Sequence, residues 1–384
     1  MRMPPSLRAF VTPFLTFILA PAAAAATPPK EFFVYFGTYT NNAKSKGIYR
    51  ATLDVASGKL SAAEVAAECV DPAFLALHPN GKFLYAIDER ADPVKTPGRG
   101  VSAYALDAKT GALTLLNQQG VGGPGPCHLS VDTTGKCVLV ANYGGGSVAA
   151  LPIGADGRLA PATATIQHKG SSVNPARQKE PHAHAIEVSP DNRFALVPDL
   201  GLDKIMIYQL DAANGSLIAN DPAFASLPPG SGPRHLAFHP SGKFAYVINE
   251  LTCTMSVFAY NARRGVLSDV QSISTLPPGE TAQRGQSTAE VIVHPSGKFL
   301  FGSNRGHNTI VVYAVDAATG KLTLVQHQST QGRNPRHFAV DPTGAWLLAE
   351  NQGSDTVVVF RIDPGSVKLT PTGQSLEVPV PVSA

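Results

Sequence analysis

Short apolar runs recur along this chain in a fixed order, some unbroken and some alternating with polar residues, with Gly- and Pro-containing turns between them. Residues 234–272 show the order most plainly. Arg234-His-Leu-Ala-Phe-His239 reads as a short first strand. Pro240-Ser-Gly-Lys243 then reads as a tight turn, whose glycine supplies the backbone angle other residues avoid. Residues 244–248 are nearly all apolar, as a strand buried on both faces requires. Residues 254–260 alternate, as a half-exposed strand does, and Ala262-Arg-Arg-Gly265 turns into a polar outer strand over 266–272.

This four-strand unit occurs in six copies, beginning at Pro72, Pro126, Pro181, Pro233, Thr288 and Pro335. Its first turn falls at His78, Asp132, Ser189, His239, His294 and Asp341, a period of roughly 50 residues. The later turn reappears as Lys109-Thr-Gly111, Ala155-Asp-Gly157, Ala213-Asn-Gly215 and Ala318-Thr-Gly320. Four strands per copy at that period predict an all-β chain folded as a β-propeller, with four antiparallel strands in each blade. Residues 31–36, 47–53 and 59–64 match strands two, three and four of a further blade that lacks strand one. Residues 376–382 are the candidate for the missing strand. A seventh blade shared between the N- and C-termini would close the ring and leave no open sheet edge. Residues 27–384 spread over seven blades give about 51 residues each, matching the period.

Composition narrows the picture further. The chain has 384 residues, 43% hydrophobic and 15% charged, enough to bury a large core and unlike a disordered segment. Its length alone would suggest more than one domain, but a closed ring is a single unit. A net charge of +3, with no Lys/Arg cluster interleaved with aromatics, argues against a nucleic-acid partner. Arg2 and Arg8, the apolar run 9–20 and the small residues 21–27 read as a secretory signal peptide over 1–26, cleaved near Ala26. An uncleaved anchor is the alternative, although the run is short for a bilayer. The expected product is periplasmic or secreted, with no membrane attachment once the leader is removed. Cys69, Cys127, Cys137 and Cys253 occupy unrelated places in the repeat and have no metal-like spacing, leaving one disulfide or buried free thiols as alternatives.

Antiparallel connectivity sorts the turns onto two faces. One face carries the monotonous turns after strands one and three. The other carries the loops after strand two and the connections into the next blade, and these are irregular. A binding site belongs on the irregular face, at the mouth of the central channel. Ten places after the first turn every copy has Asp or Asn (Asp88, Asn142, Asp199, Asn249, Asn304 and Asn351), which reads as a cap on local backbone N–H groups. The next position varies: Glu89, Tyr143, Leu200, Glu250, Arg305 and Gln352. Two positions at the start of strand one vary as well. The first reads Ala73, Cys127, His184, Arg234, Ala289, Arg336, and the second Phe74, His128, Ala185, His235, Glu290, His337. A symmetric scaffold role does not ask for such mixtures. Ionisable residues gathered near a partly enclosed channel must pair with one another or with a ligand.

The motifs Gln178-Lys-Glu-Pro-His-Ala-His184, Pro198-Asp-Leu-Gly-Leu-Asp203, Gly232-Pro-Arg-His235, Val247-Ile-Asn-Glu-Leu251, Ser303-Asn-Arg-Gly-His307 and Ala349-Glu-Asn-Gln352 resemble the lactonase family of seven-bladed propellers. That family includes propeller-type 6-phosphogluconolactonases and fungal carboxymuconate lactonizing enzymes. The resemblance spans the mature chain and implies an active site built from Glu250, Arg234, Arg305 and a histidine of the His182/His184 pair. His128, Asp199, His235, Glu290, Arg336 and His337 are expected to bind substrate around it.

The implied reaction is hydrolysis of a small sugar-acid lactone. Glu250, with a pKa raised by partial burial, or a neutral histidine would take the water proton. The arginines would hold an oxyanion, carboxylate or phosphate. No metal or cofactor is required, although His182, His184 and Asp199 resemble a ligand set, and no G-x-S-x-G nucleophile elbow is present. A muconate-type cycloisomerase and a non-catalytic propeller binding a ligand or protein on the same face are the competing readings. The leader is the departure from a cytosolic sugar-phosphate enzyme. A closed ring protects its own sheets, so a monomer is expected.

Overall fold

The computed structural model describes residues 29–41, 44–366 and 368–384, and the expected signal peptide lies outside them. Among the described residues, 28 strands form seven four-stranded antiparallel sheets, with no helix long and apolar enough to cross a membrane. Each sheet is one blade of a ring. Blade 1 contains the N-terminal strands, and blades 2–7 follow in chain order. Blade 5 matches its expectation closely, with strands Pro233–Phe238, Phe244–Asn249, Thr254–Asn261 and Val266–Ser274.

The second strands carry the core. Cys137–Asn142, Phe194–Asp199, Phe244–Asn249 and Trp346–Asn351 are buried at every residue, because neighbouring blades cover both of their faces. Polar staples join the blades. The hydroxyls of Tyr35, Tyr85 and Tyr246 donate to the carbonyls of Gly111, Gly157 and Gly320 in the outer turns of the next blades. On the same face, Nε2 of His78, His239 and His294 reaches the carbonyls of Gly135, Gly297 and Gly344. The Nδ1 atoms of these histidines accept backbone N–H from Asn80, Ser241 and Ser296, so the proton sits on Nε2. The repeated turn histidines are therefore mortar between blades.

Three local expectations need correction. The strand that closes blade 1 is Pro381–Ser383, pairing with Gly37 and Thr38, rather than 376–382. Leu376 and Glu377 instead finish the outer strand Leu369–Glu377 of blade 7. The chain must first cross from an outer edge to the ring's inner wall. It turns at 378–380, where Asp355 binds the N–H groups of Val378 and Val380, and Val380 takes a φ of 44°. Second, the outer strand of blade 1 is Glu64–Glu68, not 59–64. Leu60 makes only a single bridge to Leu53, and a register shift at Ile48/Tyr49 delays the ladder.

Third, the Asp/Asn positions do not all cap local N–H groups. Asp88 and Asp199 do, accepting from the N–H of Arg90 and Gly201. The asparagines donate instead: Asn142 to Ser147 Oγ, Asn249 to Thr254 and Ser256, Asn304 to Thr309, and Asn351 to the Thr330 carbonyl. An amide has N–H to give where a carboxylate has none. All four cysteines are free thiols.

Candidate active site

The irregular face opens into a cavity of about 370 Å³ at the mouth of the channel. Glu250 forms its floor, placed there by the loop after the second strand of blade 5. Four cationic or imidazole groups from four directions converge on this carboxylate. Arg177 Nη2 lies 2.6 Å away, Arg305 Nη2 3.0 Å, Arg234 Nε 3.3 Å and His184 Nε2 3.8 Å. Glu250 is only 4% exposed. Burial alone would raise its pKa. The guanidinium charges of Arg305, Arg234 and Arg177, with the His184 imidazole beside them, outweigh burial and hold it well below the usual carboxylate range. The raised pKa expected from the sequence is therefore reversed, because the arginines are packed against the carboxylate itself.

Each arginine is anchored. Arg305 lays Nε and Nη2 on the Thr288 carbonyl, at 3.2 and 2.8 Å. Arg234 donates from Nη1 to the Ala289 carbonyl, and burial beside Arg305 and Arg336 pulls its guanidinium down to about 10. Arg177 also donates to the Tyr143 hydroxyl. His184 stays neutral, because burial and then Arg234 and His235 push its imidazole well below its ordinary value.

The structure separates the two candidate histidines. His184 lines the cavity, whereas His182 stacks on the outer side of Tyr143, with ring centroids 4.5 Å apart, and bonds through Nδ1 to the Tyr143 carbonyl. Asp199 does not reach the cavity. It accepts from His168 Nδ1 at 2.6 Å and from the N–H groups of His182 and Gly201, which fixes the segment that presents His184. These bonds occupy Asp199 and aim the two histidines apart, so the three do not act as one ligand set.

Across the cavity from Glu250, the Tyr39 hydroxyl donates to Glu89 Oε2 at 2.7 Å, and the Arg336 guanidinium lies 5.3 Å from the Tyr39 ring. Among the described residues Arg336 makes no hydrogen bond or ion pair. Cys127 completes the wall, and burial holds its thiol protonated.

The remaining expected substrate-binding residues form a separate layer inside the channel, around Phe74. His128 packs 4.1 Å from that ring, His235 5.8 Å and His337 5.7 Å. Glu290 Oε2 binds His235 Nδ1 at 2.9 Å and His337 Nε2 at 3.3 Å, while His128 pairs with Glu187. Burial works against a charge on His337, but Glu290 and Glu350 outweigh it and raise its pKa. His128, His235, Glu290 and His337 thus pair among themselves and with Glu187 and Glu350, leave His235 Nε2 without a hydrogen bond among the described residues, and do not line the cavity.

The two variable positions at the start of strand one are adjacent in sequence, yet they supply different layers. In blades 3, 5 and 7 the register shifts between Pro126 and His128, Pro233 and His235, and Pro335 and His337. Cys127, Arg234 and Arg336 are the extra residues of these bulges, which turn a side chain toward the axis that a flat strand would send elsewhere. Site residues not singled out from the sequence are Tyr39, Glu89, Cys127, Tyr143, Arg177 and Ser287. Glu89, Tyr143 and Cys127 stood in the variable columns and were legible there. Arg177, on the long connection between blades 3 and 4, belongs to no repeat position.

Comparison with known proteins agrees with the fold. Residues 33–384 match the family described as "Lactonase, 7-bladed beta-propeller". A 6-phosphogluconolactonase of Bacillus subtilis (strain 168) is 37% identical over 309 residues, covering 80% of this chain and 84% of that protein. A 6-phosphogluconolactonase of Formosa agariphila is 33% identical, covering 79% and 85%. Among solved structures, a putative 6-phosphogluconolactonase from Bacteroides fragilis superposes with a TM-score of 0.85 at 34% identity, covering 94% of this chain and 99% of that one. The periplasmic gluconolactonase of Pseudomonas aeruginosa superposes with a TM-score of 0.84 at 35% identity, covering 91% and 97%.

Proposed function

The chain belongs to the lactonase family of seven-bladed β-propellers, and on that premise we propose that it is an exported hydrolase of a small, anionic sugar-acid lactone, of the 6-phosphogluconolactonase type. One observation carries this reading: the charge balance of the cavity. Arg177, Arg305 and Arg336 line it and Arg234 backs it, against the carboxyl groups of Glu250 and Glu89 alone. Excess guanidinium in a partly buried site favours a ligand that brings negative charge, and the planar fork suits carboxylate or phosphate.

The groups around Glu250 divide the hydrolysis between them. A water molecule attacks the lactone carbonyl carbon, and neutral His184 takes its proton. Glu250, surrounded by guanidinium groups, is a poor base. It stabilises the imidazolium that forms beside it and holds the arginines in place. Arg305 and Arg177 present N–H groups to the oxyanion of the tetrahedral intermediate, and losing one such donor costs about 3–4 kcal/mol of barrier. Arg336, stacked on the Tyr39 ring and with no hydrogen bond or ion pair among the described residues, holds the anionic group of the substrate.

The test is a panel of sugar lactones, with and without phosphate, offered to the purified mature protein. Hydrolysis is expected, faster for the phosphorylated members, and Arg305→Ala should lower kcat about 100-fold with folding intact. Turnover of unsaturated diacids in place of lactones would redirect the reading to cycloisomerisation. Turnover of neither by a folded protein would make it a binding propeller.

Export is supported by the residue pattern of 1–26 and by the likeness to the periplasmic enzyme. The N-terminal sequence of the periplasmic protein should begin at Thr27. Recovery of the full-length chain in the cytosol would count against export.

A further inference from the structure

We propose that Glu89 is a second catalytic carboxyl, the acid that protonates the departing ring oxygen as the lactone opens. The proposal rests on the hydrolase reading above and adds a residue to it. Glu89 follows the second strand of blade 2, Phe83–Ile87, at the register position that Glu250 holds in blade 5. Two blades separate them on one side of the ring and three on the other, so the two carboxyl groups approach one cavity from opposite walls.

Their surroundings differ in kind. Glu250 has three guanidinium groups and an imidazole within 4 Å. Glu89 forms no ion pair among the described residues, and its one side-chain hydrogen bond comes from the Tyr39 hydroxyl to Oε2. Its backbone is held by the Asp71 carbonyl, and Oε1 makes no hydrogen bond within the described residues. The groups that act on it are Arg336 from blade 7, Tyr39 from blade 1, Asp71 from the connection into blade 2, and Arg234 from blade 5. Burial raises the Glu89 pKa. Arg336, Tyr39 and Arg234 oppose this, Asp71 adds to it, and the net shift is upward. Two carboxyl groups of one cavity are thus driven apart, Glu250 toward the carboxylate and Glu89 toward the acid. This is how a single site divides acid and base roles.

Lactone opening needs that division. The water oxygen bonds to the carbonyl carbon while the water proton passes to His184. The bond from that carbon to the ring oxygen then breaks, and the oxygen would depart as an unstable alkoxide unless protonated. Glu89 Oε1–H supplies the proton, leaving a hydroxyl on the product and a carboxylate on Glu89. Solvent takes the proton from His184 and returns one to Glu89. One water is consumed, and the product acid ionises.

Two δ-lactones separate this role from a structural one. An aliphatic sugar lactone leaves as an alkoxide and needs an acid, whereas an aryl lactone leaves as a stabilised phenolate and needs little help. Glu89→Gln, which keeps the size and the acceptor for Tyr39, should lower kcat on the aliphatic lactone about 100-fold and on the aryl lactone only a few-fold. It should also remove the alkaline limb of the kcat profile, which Glu89→Asp should retain. Equal losses on both lactones, or an unchanged aliphatic rate, would overturn the role of Glu89 while leaving the hydrolase reading intact. A wild-type protein that opens neither lactone would overturn both.

Discussion

At the scale of single residues, the site is governed by what surrounds Glu250. Its depressed pKa means that the folded state gains stability from the ionised form. That contribution is fully present above the ordinary carboxylate value of about 4.3 and is lost as pH falls through the lower folded value. Glu250→Gln leaves three guanidinium groups facing one another, at a cost of about 3–5 kcal/mol near neutrality. Denaturant melts over a pH series should show this gap, narrowing as the solution is acidified below about pH 4. Arg336 makes the opposite case. It has no hydrogen bond or ion pair to lose among the described residues, only its place over the Tyr39 ring, so Arg336→Gln should lower the denaturation midpoint far less than Glu250→Gln. The same substitution should raise KM for an anionic lactone about 10- to 100-fold, the worth of one charge-assisted bond at about 1.5–3 kcal/mol. Steady-state kinetics on paired charged and neutral lactones measure it.

At the scale of elements, bulges and turns aim these residues. The inner strand of blade 4 is only Glu187–Val188, because the preceding segment leaves the ladder to present His184. That segment is held by His184 N–H on the Pro198 carbonyl and Leu200 N–H on the His182 carbonyl. Gly201 lies directly beneath it, where an added Cβ would collide with the Glu180 carbonyl and press on the His182 amide. Gly201→Ala should therefore shift the segment carrying His184 and lower kcat more than it raises KM. A crystal structure of the variant, with kinetics, checks both halves. The first-turn position works differently: its histidines bind the neighbouring blade, while Asp132 and Asp341 fold back on their own turns, Asp132 also accepting from Asn192 of the next blade. One sequence column thus holds two structural solutions.

At the scale of the whole molecule, closure decides whether there is a site at all. The inner strand of blade 1 is three residues from the far end of the chain, and it alone joins the two ends of the ring within a sheet. Deleting residues 379–384 should expose the inner edge of Glu31–Thr38, lower the melting temperature and promote association. Thermal scans and light scattering across a concentration series would report it. An unchanged, monodisperse variant would mean that packing between blades closes the ring without this strand.

The repeat made the architecture legible from residues alone. Apolar periodicity, turn glycines and a regular spacing are local signals, and blade count, strand order and the functional face follow from them. The same columns flagged Glu250, Arg234, Arg305, Arg336 and His184, since symmetry breaking can be seen without coordinates. Tertiary structure alone decided which of these share a cavity. Periodicity cannot show that a bulge sends Arg234 to Glu250 while the adjacent His235 drops to a lower layer, or that Arg177 reaches the cavity from a connection outside the repeat. It also set the opposite pKa shifts of Glu250 and Glu89, because a pKa depends on distances between charges that the chain brings together from opposite sides of the ring.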